Sequence, residues 1–126
     1  RYFFGTRSLD GQMDFDINLA LKQSSDNPLF YVEYAHARIS SIINDATSKN
    51  VGIKTDIRNI IDDDSKAILL KVYEFSDVVE NAAIKREPHL ITNYVYDLAG
   101  MFHNYYGKYR ILTDDEVSSD NRRRKK

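Results

Sequence analysis

Tyr31, Tyr34 and Arg38 fall within one run, NPLFYVEYAHARI, from Asn27 to Ile39. Their types and spacing suit one kind of chemistry. A tyrosine ring offers a flat face on which a nucleobase can stack. A guanidinium pairs with phosphate or lies on a ring. At 100° per residue the three side chains lie along one edge of a helix, with Tyr31 and Arg38 two turns, roughly 10 Å, apart. Such a strip can hold the splayed bases of a single-stranded loop, each base-on-ring contact being worth about 1–3 kcal/mol. The competing reading makes these tyrosines half-buried core edges with satisfied hydroxyls, and for Tyr34 the sequence favours it.

The rest of the chain must position that strip. The chain opens with Tyr2, Phe3, Phe4 and Leu9, consistent with a short helix ended by Asp10–Gly11. Met13 to Ala20 alternates in part and predicts a brief extended piece. A long helix is predicted from an Asp26 N-cap, with Pro28 in its first turn, to about Ser48. Its apolar face is Val32, Ala35, Ile39, Ile42, Ile43 and Ala46, and His36 falls on the flank opposite the strip. Residues 49–64 are weakly patterned. Ile57, Ile60 and Ile61 suggest a packed turn or short helix there. A second helix is expected from an Asp64 or Ser65 cap towards Lys85, with a break near Ser76–Asp77. Acidic residues at its start suit the helix dipole. Pro88 should open a third helix, with Glu87 near the cap. Ile91, Val95, Leu98, Phe102 and Tyr105 form its stripe and Gly107 its stop. Gly100 in mid-helix costs about 1 kcal/mol relative to alanine, so close approach of another element or a ligand is expected there. The fold class is all-α, a bundle whose broad apolar faces bury one another.

Composition removes several function classes. The chain of 126 residues is one domain in size, and 42% of it is hydrophobic. With no cysteine there is neither a disulfide scaffold nor a thiolate metal site, which fits a reducing compartment such as the cytoplasm. No apolar run approaches the roughly 20 residues of a membrane span. The first residues, inside an apolar run without an initiator methionine, read as a cut end. Net charge is −1, and the basic residues 122–126 leave an acidic remainder. Overall charge therefore does not favour nucleic acid, and any RNA contact must be local. No catalytic constellation is present: the sequence has no phosphate-cradling glycine loop, no HExxH and no nucleophile elbow. His36, His89 and His103 lie in separate segments without ligand spacing, and the Asp62–Asp64 run reads as a helix cap rather than a cation loop.

Three co-linear blocks resemble the carboxy-terminal part of arginyl-tRNA synthetases: residues 1–39, RYFFGTRSLDGQMDFDINLALKQSSDNPLFYVEYAHARI; residues 86–112, REPHLITNYVYDLAGMFHNYYGKYRIL; and TDDE at 113–116. The resemblance covers nearly the whole chain. It implies that residues 1–25 are the tail of a catalytic domain. It implies that residues 26–116 are a helical anticodon-binding domain of the class I synthetase type. Residues 117–126 are a polar, basic tail expected to be disordered. The family couples arginine to its tRNA with ATP and magnesium. The signatures that handle ATP are absent here, so the chain is expected to bind neither ATP nor magnesium and to hold the anticodon stem and loop of arginine tRNA. Neither DNA nor a membrane is expected as a partner.

The resemblance also implies roles. Tyr31 and Arg38 match an aromatic and a basic position facing the anticodon, and flank position and resemblance together favour RNA for both. Tyr106, in HNYY, matches an aromatic presented to an anticodon base, with His103 and Asn104 as weaker candidates. The chain departs from the family at its end, where VSSDNRRRKK replaces a long closing helix. That predicts an uncovered apolar face and self-association or marginal stability. The alternative function is a helical protein-interaction module whose groove takes a partner helix.

Overall fold

The computed structural model describes residues 1–51, 62–109 and 111–112. Six helices run in chain order: α1 Tyr2–Gly5, α2 Ile17–Leu21, α3 Pro28–Ser48, α4 Asp63–Tyr73, α5 Phe75–Lys85 and α6 His89–Lys108. The described residues are all-α, as the periodicity predicts. The expected packed turn at Ile57, Ile60 and Ile61 and the basic tail lie outside the described residues.

Helix α6 is the hub, packing against α1, α3, α4 and α5. Its length and apolar stripe allow this: one flank meets α3, the other α4 and α5. Tyr94 shows the second contact. It is 5% exposed, its ring sits 5.6 Å from Phe75, and its hydroxyl donates to the Lys71 carbonyl. Burial raises its pKa, with the Glu74 charge adding to the effect. The buried core is thin, with Ala35, Ala82, Tyr94 and Ala99 as its apolar members. A groove of about 280 Å³ runs beside it, lined by Val32, Ile39, Val95, Leu98 and Phe102.

Several local expectations shift. The α3 cap is Asn27 and not Asp26. Asn27 Oδ1 accepts from the backbone N–H of Leu29 at 3.0 Å and Phe30 at 3.5 Å. Its Nδ2 donates to the carbonyls of Ala20 and Lys22 at 3.1 and 2.8 Å. An amide can accept on one side and donate on the other, as an ionised Asp cannot, and this residue is buried at 4% exposure. Asp26 instead stands exposed, 3.6 Å from Lys22. Pro28 takes the first helical position.

Residues 13–16 form no strand, though Asp16 keeps extended backbone angles. The chain then enters α2, capped by Asp16, whose carboxylate accepts from Asn18 and Leu19. Local capping there outweighs the partial alternation. The first helix ends at Gly5 rather than at Asp10–Gly11, although Gly11 N–H does close a turn onto Ser8. The Gly5 carbonyl accepts from Thr92 Oγ1 at 2.8 Å, tying α1 to α6.

Helix α4 is capped by Asp62, two residues before the first of the expected caps. Its carboxylate accepts from Ser65 N–H and Ser65 Oγ, both at 2.7 Å. The Ser65 hydroxyl has one proton, so it accepts in turn from Tyr105 at 3.0 Å. These bonds hold the Asp62 pKa below its ordinary value, the Ser65 backbone bond first. The break in the second helix falls at Glu74 and not at Ser76–Asp77. Arg86 ends α5 in the left-handed region at φ 58°. Helix α6 has Pro88 at its cap and runs through Gly107 to Lys108.

Candidate nucleic-acid interface

The α3–α6 contact builds the site. Residues 30, 34 and 38 stand one turn apart on α3. Residues 99, 103 and 106 share the facing side of α6. Phe30 and Tyr34 lie nearly parallel, with ring centroids 6.2 Å apart at 4°. The Arg38 guanidinium carbon sits 4.6 Å from the Tyr34 ring centre and also 4.6 Å from the Tyr106 ring centre. Arg38 Nη2 also donates to the Tyr34 hydroxyl at 2.6 Å. The cation is thus held between two rings, one from each helix. Both rings keep open surface: Tyr34 is 46% exposed and Tyr106 is 36% exposed.

Tyr31 occupies a different place. It is half-buried between the helices, 5.3 Å from the Tyr96 ring and 4.5 Å from His103. Gly100 makes room for it: a Cβ at that position would lie 3.6 Å from the Tyr31 hydroxyl. The close approach expected at this glycine is therefore present, and Tyr31 causes it. The distance is ordinary van der Waals contact, so alanine would touch the ring without overlap.

His103 joins the two tyrosines. Its ring stacks on Tyr34 at 5.5 Å and 21°, and its Nε2–H donates to the Tyr31 backbone carbonyl at 3.1 Å. Ser25, Phe30, Tyr31, Tyr34 and His103 line a pocket of about 190 Å³. Of the residues singled out by sequence, Tyr31, Arg38, His103 and Tyr106 are brought together. Asn104 is not. It faces α4 and lines a separate pocket with Asp64, Ile68 and Lys108. That end of the bundle carries an ion pair, Lys108 to Asp64 at 2.9 Å, and this partner raises the Lys108 pKa.

Tyr34, expected at the core edge, is 46% exposed and is the α3 tyrosine whose ring Arg38 engages. Phe30 was not singled out at all. The signal was available in the spacing i, i+4, i+8 of Phe30, Tyr34 and Arg38, which stacks more closely than the i, i+7 pair of Tyr31 and Arg38.

An aromatic and guanidinium surface built from two helices is suited to unstacked bases and phosphate. Comparison with known proteins points the same way. The chain is 46% identical over 117 residues to an arginine–tRNA ligase of Staphylococcus epidermidis, covering 91% of this chain and 21% of that protein. It is 42% identical over 120 residues to the arginine–tRNA ligase of Geobacillus kaustophilus, covering 93% and 22% respectively. The chain thus spans about a fifth of the length of the curated relatives it matches. A crystal structure assigned as an arginyl-tRNA synthetase from Campylobacter jejuni superposes with a TM-score of 0.78 at 27% identity, over 92% of this chain and 26% of that one. The pattern of the DALR anticodon binding domain matches residues 32–124, and the chain belongs to that family.

Proposed function

We propose that this chain is the tRNA-gripping part of an arginine–tRNA ligase and that it holds the anticodon stem and loop of arginine tRNA. The observation that carries this reading is the Arg38 guanidinium held between two part-exposed rings, Tyr34 and Tyr106. It stands in a chain of the anticodon-binding family. In this proposal Tyr34, Arg38 and Tyr106 form the contact surface, and Tyr31 supports it from between the helices. Residues 1–25 are the end of a catalytic domain, and the anticodon-binding domain starts near residue 26.

ATP, magnesium and arginine are assigned to the remaining length of such a ligase. The sequence has no phosphate-cradling glycine loop. Among the described residues no three histidines or carboxylates gather to hold a metal ion. Among the described residues no helix is long and apolar enough to cross a membrane. A cytoplasmic setting is part of the same proposal.

Titration of arginine tRNA and of an unrelated tRNA, each at two salt concentrations, tests the reading. Binding should weaken as salt rises and should favour the arginine anticodon. Equal affinity for both tRNAs, unmoved by Tyr34→Ala or Arg38→Ala, would refute it. No ATP–pyrophosphate exchange is expected from this chain.

A further inference from the structure

His103 sits at the centre of the site, half-buried, with a hydrogen bond to the Tyr31 carbonyl and ring contacts to both tyrosines of α3. A backbone carbonyl can only accept, so the bond to Tyr31 requires the proton on Nε2. That bond crosses from α6 to the backbone of α3 and fixes the rotation of the imidazole. The fixed imidazole then backs the Tyr34 ring, nearly parallel to it at 21°. Tyr34 in turn accepts from Arg38 and lies against its guanidinium. The sequence of contacts runs one way: α3 backbone, His103, Tyr34, Arg38, Tyr106.

We infer that His103 is a positioning residue of this site. It sets the plane of Tyr34, and through Tyr34 the guanidinium, before RNA arrives; it acts through those groups and not by touching RNA itself. The inference rests on the RNA reading above and goes beyond it, because it separates the residue that orients from the residues that contact. Holding a side chain in its bound geometry beforehand lowers the ordering cost of binding.

The test uses the full chain and an RNA hairpin carrying the anticodon stem and loop of an arginine tRNA. His103→Phe keeps a ring between the tyrosines and removes the N–H donor. Hairpin affinity should fall about fivefold, the size of one lost hydrogen bond. In a Tyr34→Ala background the same substitution should cost nothing further, since its only route to the RNA is gone. Imidazole ¹⁵N shifts of the unaltered protein should show the Nε2–H form. If His103→Phe unfolds the chain, His103→Gln, which keeps an N–H donor and loses the ring, is read by the same pair of backgrounds. An equal loss with and without Tyr34, or no loss in either, overturns the positioning role while leaving the RNA reading intact. Failure of the unaltered chain to bind the hairpin removes both.

Discussion

Replacing Arg38 with lysine keeps the charge and removes the plane. The guanidinium now lies 4.6 Å from two ring centres and donates to Tyr34 at 2.6 Å. A cation over one exposed ring contributes about 0.5–1 kcal/mol, and two rings share this one. A lysine ammonium can follow one ring or the hydroxyl but cannot lie flat between both. The expected loss of folding stability is therefore about 1 kcal/mol, or about 4 °C in Tm for a domain of this size. The effect on RNA should be larger, because in the proposed surface the guanidinium is itself a contact group. Affinity for the anticodon hairpin should fall about tenfold, or 1.4 kcal/mol. The charge is unchanged, so the slope of log affinity against log salt should stay as in the unaltered protein. Arg38→Gln loses charge and plane together. It should weaken binding further and make the slope shallower by about 0.7 if the charge meets a phosphate. Thermal unfolding followed by circular dichroism and a fluorescence-anisotropy titration read the two effects separately. The reasoning fails if Arg38→Lys binds the hairpin as well as the unaltered chain while Arg38→Gln does not. Arg38 would then be a point charge, and the ring sandwich would have no part in recognition.

Three further outcomes follow from the fold. Asn27→Asp preserves the cap acceptor but turns two buried donor bonds into a carboxylate facing two carbonyls; denaturant unfolding should show a loss of about 2–3 kcal/mol, whereas Asp26→Ala should change stability by under about 0.5 kcal/mol. Gly100→Ala should stabilise the chain by about 0.5–1 kcal/mol, since its Cβ would meet Tyr31 only at ordinary contact distance; a lowered Tm would show that the Tyr31 ring cannot yield. The pH profile should fall at both ends. The depressed Asp62 carboxyl contributes stability above its ordinary value of 3.8, lost as pH drops through its lower folded value. Lys108, raised by its bond to Asp64, contributes below its ordinary 10.5, and that contribution is lost as pH climbs through its higher folded value. Asp62→Asn should flatten the acid limb and Asp64→Asn the alkaline one, each measured as midpoint against pH.

The architecture was legible because it rests on period and punctuation. The apolar positions of α3 and α6 recur at helical spacing, and Pro28 and Pro88 mark their starts. What escaped was set by tertiary context. Asp26 and Asn27 are equally good caps by type. The choice between them is made by the Ala20 and Lys22 carbonyls, which need a donor and which the folded chain brings to one side of residue 27. The Glu74 break, and the helix at Ile17–Leu21 where alternation over 13–20 suggests an extended piece, are local contests that periodicity does not decide.

The site was half legible for the same reason. Spacing puts Tyr31, Tyr34 and Arg38 on one edge of α3, but which tyrosine faces outward depends on where α6 lies across it. The packing of Tyr31 against α6 decides. The Tyr31 ring lies against Gly100 of α6 at ordinary contact distance, and His103, one turn on, donates to the Tyr31 carbonyl. Tyr31 is thereby drawn inward and Tyr34 is left at the surface with Arg38. That packing divides the two tyrosines of the proposed surface into a support and a contact. That division makes a separable expectation for RNA: Tyr31→Phe should leave hairpin affinity nearly unchanged, and Tyr34→Phe, which removes the hydroxyl that accepts from Arg38, should lower it severalfold. The opposite order in an anisotropy titration would place the contact on Tyr31 and refute the division.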